Sequence, residues 1–182
     1  MASKTVGPKV VPVKNPVSKP SRRPGCPPLH EHLPQIDGPG GGALVLLISP
    51  VKTGKSSLIT NMLLNENFYN AQERFDSTTI ISNTISNCVT SRFLKQAFDT
   101  VDHYSDETIN GIVERQKSYD KEDQQEICIC IDDCLGSIRK EAKINHLCSR
   151  FRHFNIKLLI ISSQNFRSCS PIIRQNATNV IV

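Results

Sequence analysis

The chain has 182 residues, a formal net charge of +5 and 38% hydrophobic residues, enough for one folded domain with a tail. Its longest apolar run is the six residues Ala43–Ile48, which excludes a transmembrane helix of ordinary length. Seven cysteines with no secretory signal ahead of them argue against a disulfide framework and lead us to expect a reducing compartment.

Residues 1–42 hold nine of the eleven prolines, with Lys and Arg between them, and read as an extended basic tail. Cys26, His30 and His32 lack a convincing fourth metal ligand and are assigned to it. Ala43–Ile48 is apolar throughout and predicts a buried strand. It leads into Ser49-Pro50-Val51-Lys52-Thr53-Gly54-Lys55-Ser56, and Leu58, Ile59, Met62 and Leu63 then recur at helical spacing over Lys55–Leu64. Strand, tight turn and helix in this order form a phosphate-binding loop. Backbone N–H groups up to Ser57 and the positive helix end can hold nucleotide phosphates. Lys55 would reach the β- and γ-phosphates and the Ser56 hydroxyl would bind Mg²⁺. Ser49 replaces the usual first glycine, so the turn must be built without a left-handed residue there.

Further along, Asp76–Ser82 predicts a second strand, 89–98 a helix, and Val101–Tyr104 a short extended piece. Ser105 should cap a helix running to Lys117. Ile127–Ile131 predicts a third strand, with Cys128 and Cys130 as small apolar residues on one of its faces; two such positions lie roughly 6.5 Å apart, too wide to share a tetrahedral zinc with Cys134 without a bend. A helix over 138–153 should turn Ile144, Leu147, Cys148 and Phe151 inward, and Arg139, Lys143, His146, Arg150 and His153 outward. Lys157–Ser163 predicts a fourth strand and Asn179–Val182 a fifth, inside which the sequence stops; a fragment or a very compact domain is expected. Asn176-Ala-Thr178 matches a glycosylation acceptor but leads into an apolar strand. Apolar strands alternating with helices predict an α/β fold with a mostly parallel sheet covered on both faces.

The third strand ends in Asp132-Asp133. A rigidly placed hard oxygen beside a phosphate loop is what Mg²⁺ requires, so Asp132 is assigned to the metal with Ser56. Asp133, expected on the opposite face, would orient or deprotonate the attacking water. If the fourth strand lies between the first and third, Gln164 emerges between loop and acids, where its amide can contact the γ-phosphate or the water. Arg174 is a candidate for stabilising the transferring phosphoryl group in a neighbour's site.

Charge is segregated along the chain. Residues 65–133 carry fourteen acidic and six basic side chains, and residues 135–182 carry eight basic and one acidic. Such asymmetry suits a polyanion-facing surface or subunits meeting acidic side to basic side.

Six segments taken together resemble the genome-packaging ATPases of poxviruses and other nucleocytoplasmic large DNA viruses, within the FtsK–HerA superfamily. They are S-P-V-K-T-G-K-S, F-D-S-T-T-I-I-S-N-T, I-C-I-D-D, R-F-R-H, I-I-S-S-Q and P-I-I-R-Q-N-A-T, and the resemblance as a whole spans residues 33–182. The resemblance implies a P-loop NTPase of RecA/ASCE-like three-layer architecture over residues 43–182, using ATP and Mg²⁺. It implies a homo-oligomeric ring that drives double-stranded DNA into the virion, located in the viral factory of the host cytoplasm or in the virion. Capsid or membrane assembly proteins would be further partners. The family's roles fall on Lys55, Ser56, Asp132, Asp133 and Gln164, with Arg174, Arg150 or Arg152 as the arginine acting between subunits. The residues by themselves leave three rivals: a GTPase, since Asp133-Cys-Leu-Gly136 fits D-x-x-G although no N-K-x-D occurs; a small-molecule kinase; and a nucleotide-binding adaptor without turnover.

Overall fold

The computed structural model describes residues 28–37, 41–86, 91–135, 138 and 142–182. In chain order these form β1 (Ala43–Ile48), α1 (Lys55–Leu64), α2 (Ala71–Arg74), β2 (Ser77–Ser82), α3 (Ser91–Ala97), β3 (Asp99–Val101), α4 (Asp106–Lys117), β4 (Ile127–Asp132), α5 (Lys143–Arg150), β5 (Ile156–Ser163), α6 (Pro171–Asn176) and β6 (Asn179–Ile181). One six-stranded sheet runs in the order β3-β2-β4-β5-β1-β6, and every pairing is parallel.

The side chains sort the sheet into two apolar layers. Leu44, Leu46, Ile127, Ile129, Ile131, Leu159 and Ile161 pack with Ile109 of α4, Ile144, Leu147 and Cys148 of α5, and Ile173 of α6. Val45, Leu47, Ile80, Cys128, Cys130, Leu158 and Ile160 face Ile59, Met62 and Leu63 of α1, Ala71 of α2 and Leu94 of α3. Connections toward β3 therefore use one face and those toward β6 the other, as crossovers of a single hand require. Cys128 and Cys130 sit in the second layer and Cys134 in the first, so the three do not converge.

Several expected boundaries move. The extended piece placed at Val101–Tyr104 is instead β3, Asp99–Val101, a short edge strand on β2. Among the described residues, the helix drawn over 138–153 is regular over Lys143–Arg150 and tightens into a 3-10 turn at Phe151–Phe154. Its expected inward residues are buried, and Lys143, His146, Arg150 and His153 are exposed; Arg139 lies outside the described residues, as do Cys26 and Gly136.

The tail boundary at 42 falls inside the folded unit. Ile36 is 1% exposed and packs with Leu29 on the α1–α3 face. The buried Tyr69 hydroxyl donates to the Pro34 carbonyl at 3.0 Å, and Asp37 lies 3.8 Å from the Arg74 guanidinium. A Cβ on Gly41 would come within 2.5 Å of the Ile36 carbonyl oxygen, so the chain can enter β1 this closely only with glycine there.

Candidate active site

The end of β5 organises the cleft, because this strand lies between β1, which leads into the turn at Ser49–Gly54, and β4, which ends in the acids. Three successive residues tie the halves together. The Ser162 hydroxyl donates to Asp132 Oδ1 and accepts the Asp133 N–H at 3.0 Å. The Ser163 carbonyl accepts the Ser49 N–H at 3.1 Å. Gln164 Nε2 donates to both Asp133 oxygens, at 3.1 and 3.3 Å.

Pro50, Val51, Lys52, Gly54, Lys55, Ser56 and Ser57 line this cleft with Asp132, Asp133, Gln164 and Thr84, around about 420 Å³. Ser49 and Thr53 close the base of the turn: their hydroxyls are hydrogen-bonded to each other, and Thr53 also donates to the Pro50 carbonyl at 2.7 Å. The left-handed residues of the loop are Lys52 (φ 64°) and Gly54 (φ 92°). Serine is therefore accommodated at 49 because the turn takes its positive φ elsewhere. A Cβ placed on Gly54 would meet nothing within 4 Å, which leaves open space over the start of α1.

Lys55 Nζ donates to the Ser49 carbonyl at 2.9 Å, a neutral partner that a phosphate oxygen could replace. Asp132 is 5% exposed. Burial pushes its carboxyl above the ordinary range; the Ser162 hydroxyl and the Lys55 amine oppose this, and the Asp133 charge adds to it. The Asp132 carboxylate and the Ser56 hydroxyl in the same cleft are hard-oxygen donors of the kind that fit Mg²⁺.

Asp132 and Asp133 were expected to face opposite ways. Both line the cleft, because Asp133 leaves the strand with φ 53°, and this left-handed turn ends the alternation of side chains. Next in sequence, the buried Cys134 thiol lies 3.2 Å from the Asp132 carbonyl and 3.7 Å from that of Ile81, filling the gap between the ends of β4 and β2.

Arg174 stays out of this cleft. Its guanidinium stands 5.1 Å from the Phe166 ring, beside a separate groove of about 380 Å³ lined by Leu135, Ile138, Asn145 and Cys169. Arg152 is occupied at the opposite end of the sheet, where Nε donates to the Gly42 carbonyl at 3.1 Å and the guanidinium stacks on Phe151. Arg150 joins Lys143 and His146 along a groove between α4 and α5. The Asn176–Thr178 acceptor pattern has a structural use, since Thr178 Oγ1 accepts the Leu44 N–H at 2.7 Å and donates to the Leu44 carbonyl at 2.8 Å.

Two residues inside the quoted segments, Thr84 and Ser162, carry no assigned role in the sequence reading. Thr84 follows β2 and lines the cleft; its signal is the polar S-N-T after the pair Ile80-Ile81. Ser162 is fully buried and hydrogen-bonded to both acids, and its signal is a hydroxyl directly after the apolar run 158–161. No protein-family model matches this sequence, and no curated protein matches it significantly.

Proposed function

We propose that the protein is an ATP-hydrolysing motor with a RecA/ASCE-like P-loop fold, which moves double-stranded DNA into a virion. The hydrolase part rests on one observation: Lys55, Ser56, Asp132, Asp133 and Gln164, distant in sequence, line one cleft at the carboxyl ends of parallel strands. Ligands of open α/β sheets bind at that edge.

In this reading the loop N–H groups from Val51 to Ser57 and the Lys55 amine bind the phosphates, and Ser56 and Asp132 hold the metal. Magnesium, when bound, supplies charge neutralisation at the phosphate oxygens. Asp133 accepts a proton from water as the water oxygen forms its bond to the γ-phosphorus. The bond to the bridging oxygen breaks, and ADP departs with that electron pair. Gln164 must first release Asp133; its amide is then free to orient the water. The Lys55 amine balances charge that builds on the departing oxygens.

The motor part is supported by the resemblance of the six segments and by the basic Lys143, His146 and Arg150 along the α4–α5 groove. Contacts to phosphates would suit a track of any sequence, with binding that weakens steeply as salt rises. The same basic face could instead meet the acidic surface of the next subunit in a ring. Arg174, outside its own cleft, is then available to a neighbour's, and capsid or membrane assembly proteins would anchor the ring.

ATP turnover measured with and without long double-stranded DNA tests the proposal. DNA-stimulated hydrolysis is expected; a preference for GTP, or transfer to a small-molecule acceptor, would overturn it. The Gln164–Asp133 hydrogen bonds favour one alternative, an adaptor that binds nucleotide with its base held inactive, and tight ATP binding without turnover under all conditions would select it.

A further inference from the structure

We infer that Ser162 is a positioning residue for the acidic pair, holding Asp132 and Asp133 in place for metal-bound nucleotide; this rests on the hydrolase reading above. Ser162 lies level with the ends of both neighbouring strands: it pairs with Leu47 of β1, and Ile161 before it pairs with Ile131 of β4. Its one proton goes to Asp132 Oδ1, and a lone pair accepts the Asp133 N–H at 3.0 Å.

The two bonds have separate consequences. Donation to Oδ1 fixes the rotation of the Asp132 carboxylate, so that ligation falls to Oδ2. Acceptance from the Asp133 N–H supports the left-handed backbone, φ 53°, that brings the second carboxylate into the same cleft. A serine needed only for folding could satisfy a backbone group alone. This one spends its proton on the carboxylate assigned to the metal. Groups that orient metal ligands in this way typically change metal affinity by about 10- to 100-fold when removed.

The test is Mn²⁺ binding to the full chain, followed by electron paramagnetic resonance with a non-hydrolysable ATP analogue present. Ser162→Ala should raise the Mn²⁺ dissociation constant by about 10- to 100-fold, lower kcat, and leave metal-free binding of the analogue within about twofold. Ser162→Thr, which keeps the hydroxyl, should restore Mn²⁺ affinity. Ala remains the deciding variant because it removes only Oγ. Ser170→Ala provides the control, since it deletes a half-buried hydroxyl that caps α6 away from the cleft, and it should bind Mn²⁺ as wild type does. Wild-type affinity in Ser162→Ala, or an equal loss in Ser170→Ala, would overturn the role of Ser162 while leaving the hydrolase reading intact. Absence of analogue-dependent Mn²⁺ uptake by the wild type would overturn the hydrolase reading itself.

Discussion

The two ends of the sheet both bring polar groups below the surface, but they satisfy them differently. At the amino ends of the strands, charges meet opposite charges: Arg74 lies 3.8 Å from Asp37, and Lys157 lies 3.4 Å from Glu126. The buried Gln116 amide donates there to two backbone carbonyls, of Gln125 and Phe154. At the carboxyl ends, charges rest on neutral partners: Lys55 on a carbonyl, Asp132 on a hydroxyl, Asp133 on an amide. A charge whose partner is neutral gives that partner up at small loss when an oppositely charged ligand arrives; one in an ion pair does not. The amino end therefore keeps its charges with fixed partners, and the carboxyl end is where a charged ligand could replace neutral ones.

The largest effect that would break this contrast is at Lys55. Lys55→Ala should lower kcat for ATP by about 10²- to 10³-fold, with stability changed by no more than about 0.5 kcal/mol. Phosphate release and urea unfolding on the same preparation check both halves. A variant that unfolds would mean the amine holds the loop together, and the division between the two ends would fail.

At the opposite end, Ile36→Ala should do the reverse. Ile36 is almost completely buried on the α1–α3 face, and removing its side chain there should cost about 2–4 kcal/mol. The same substitution should leave turnover per folded molecule unchanged. The basic, proline-rich composition of residues 1–27 predicts that deleting them changes stability little, whereas deleting residues 1–40 should destabilise the domain as severely as Ile36→Ala.

That pair of deletions also marks where sequence reading stopped. β1, β4 and β5 were legible because strands buried on both faces carry long apolar runs, and the residues that meet in the candidate cleft could be picked out because they follow such runs. The segment 28–37 was not, because its Pro, His and Glu content hides Leu29 and Ile36, whose burial depends on Tyr69 and α1 far along the chain. β3 was misplaced because an edge strand of Asp-Thr-Val, half exposed, carries no apolar run. The 3-10 end of α5 was missed because Phe151 keeps the helical spacing of its apolar face after the regular turns have ended. Ser162 lies in the quoted I-I-S-S-Q but its role was not legible, since its partners come from a different strand. Opposite facing of the two acids failed for a local reason: one left-handed residue cancels the strand alternation on which it rested.

A smaller effect sharpens the contrast at Asp132. Burial raises its carboxyl above the ordinary range, so the ionised form is penalised in the metal-free protein. Asp132→Asn keeps an acceptor for Ser162 and removes the charge. It should stabilise the metal-free chain at neutral pH by on the order of 1 kcal/mol while abolishing metal-dependent turnover. Loss of both stability and turnover would instead place Asp132 among the groups that maintain the fold.

The smallest effect asks whether the paired charges at the amino end stabilise at all. Glu126 lies 3.4 Å from the Lys157 amine, yet its carboxyl is raised: burial outweighs the attraction of Lys157, and Asp76 and Asp37 add repulsion. Between the unfolded value of about 4.3 and the raised folded value, the folded chain holds the extra proton. Stability contributed by this group therefore falls as pH rises through that window. In Glu126→Gln nothing titrates there, so the difference in unfolding free energy should shift in favour of the Gln variant between pH 4 and pH 7, by less than about 1 kcal/mol. Urea unfolding of both proteins across that range measures the slope. A slope of the opposite sign would mean that Lys157 more than offsets burial, and that ion pairing stabilises this end. The expected sign means that apolar packing by Ile36, Tyr69 and Leu29 carries the stability, while the ion pairs serve chiefly to fix which polar groups meet.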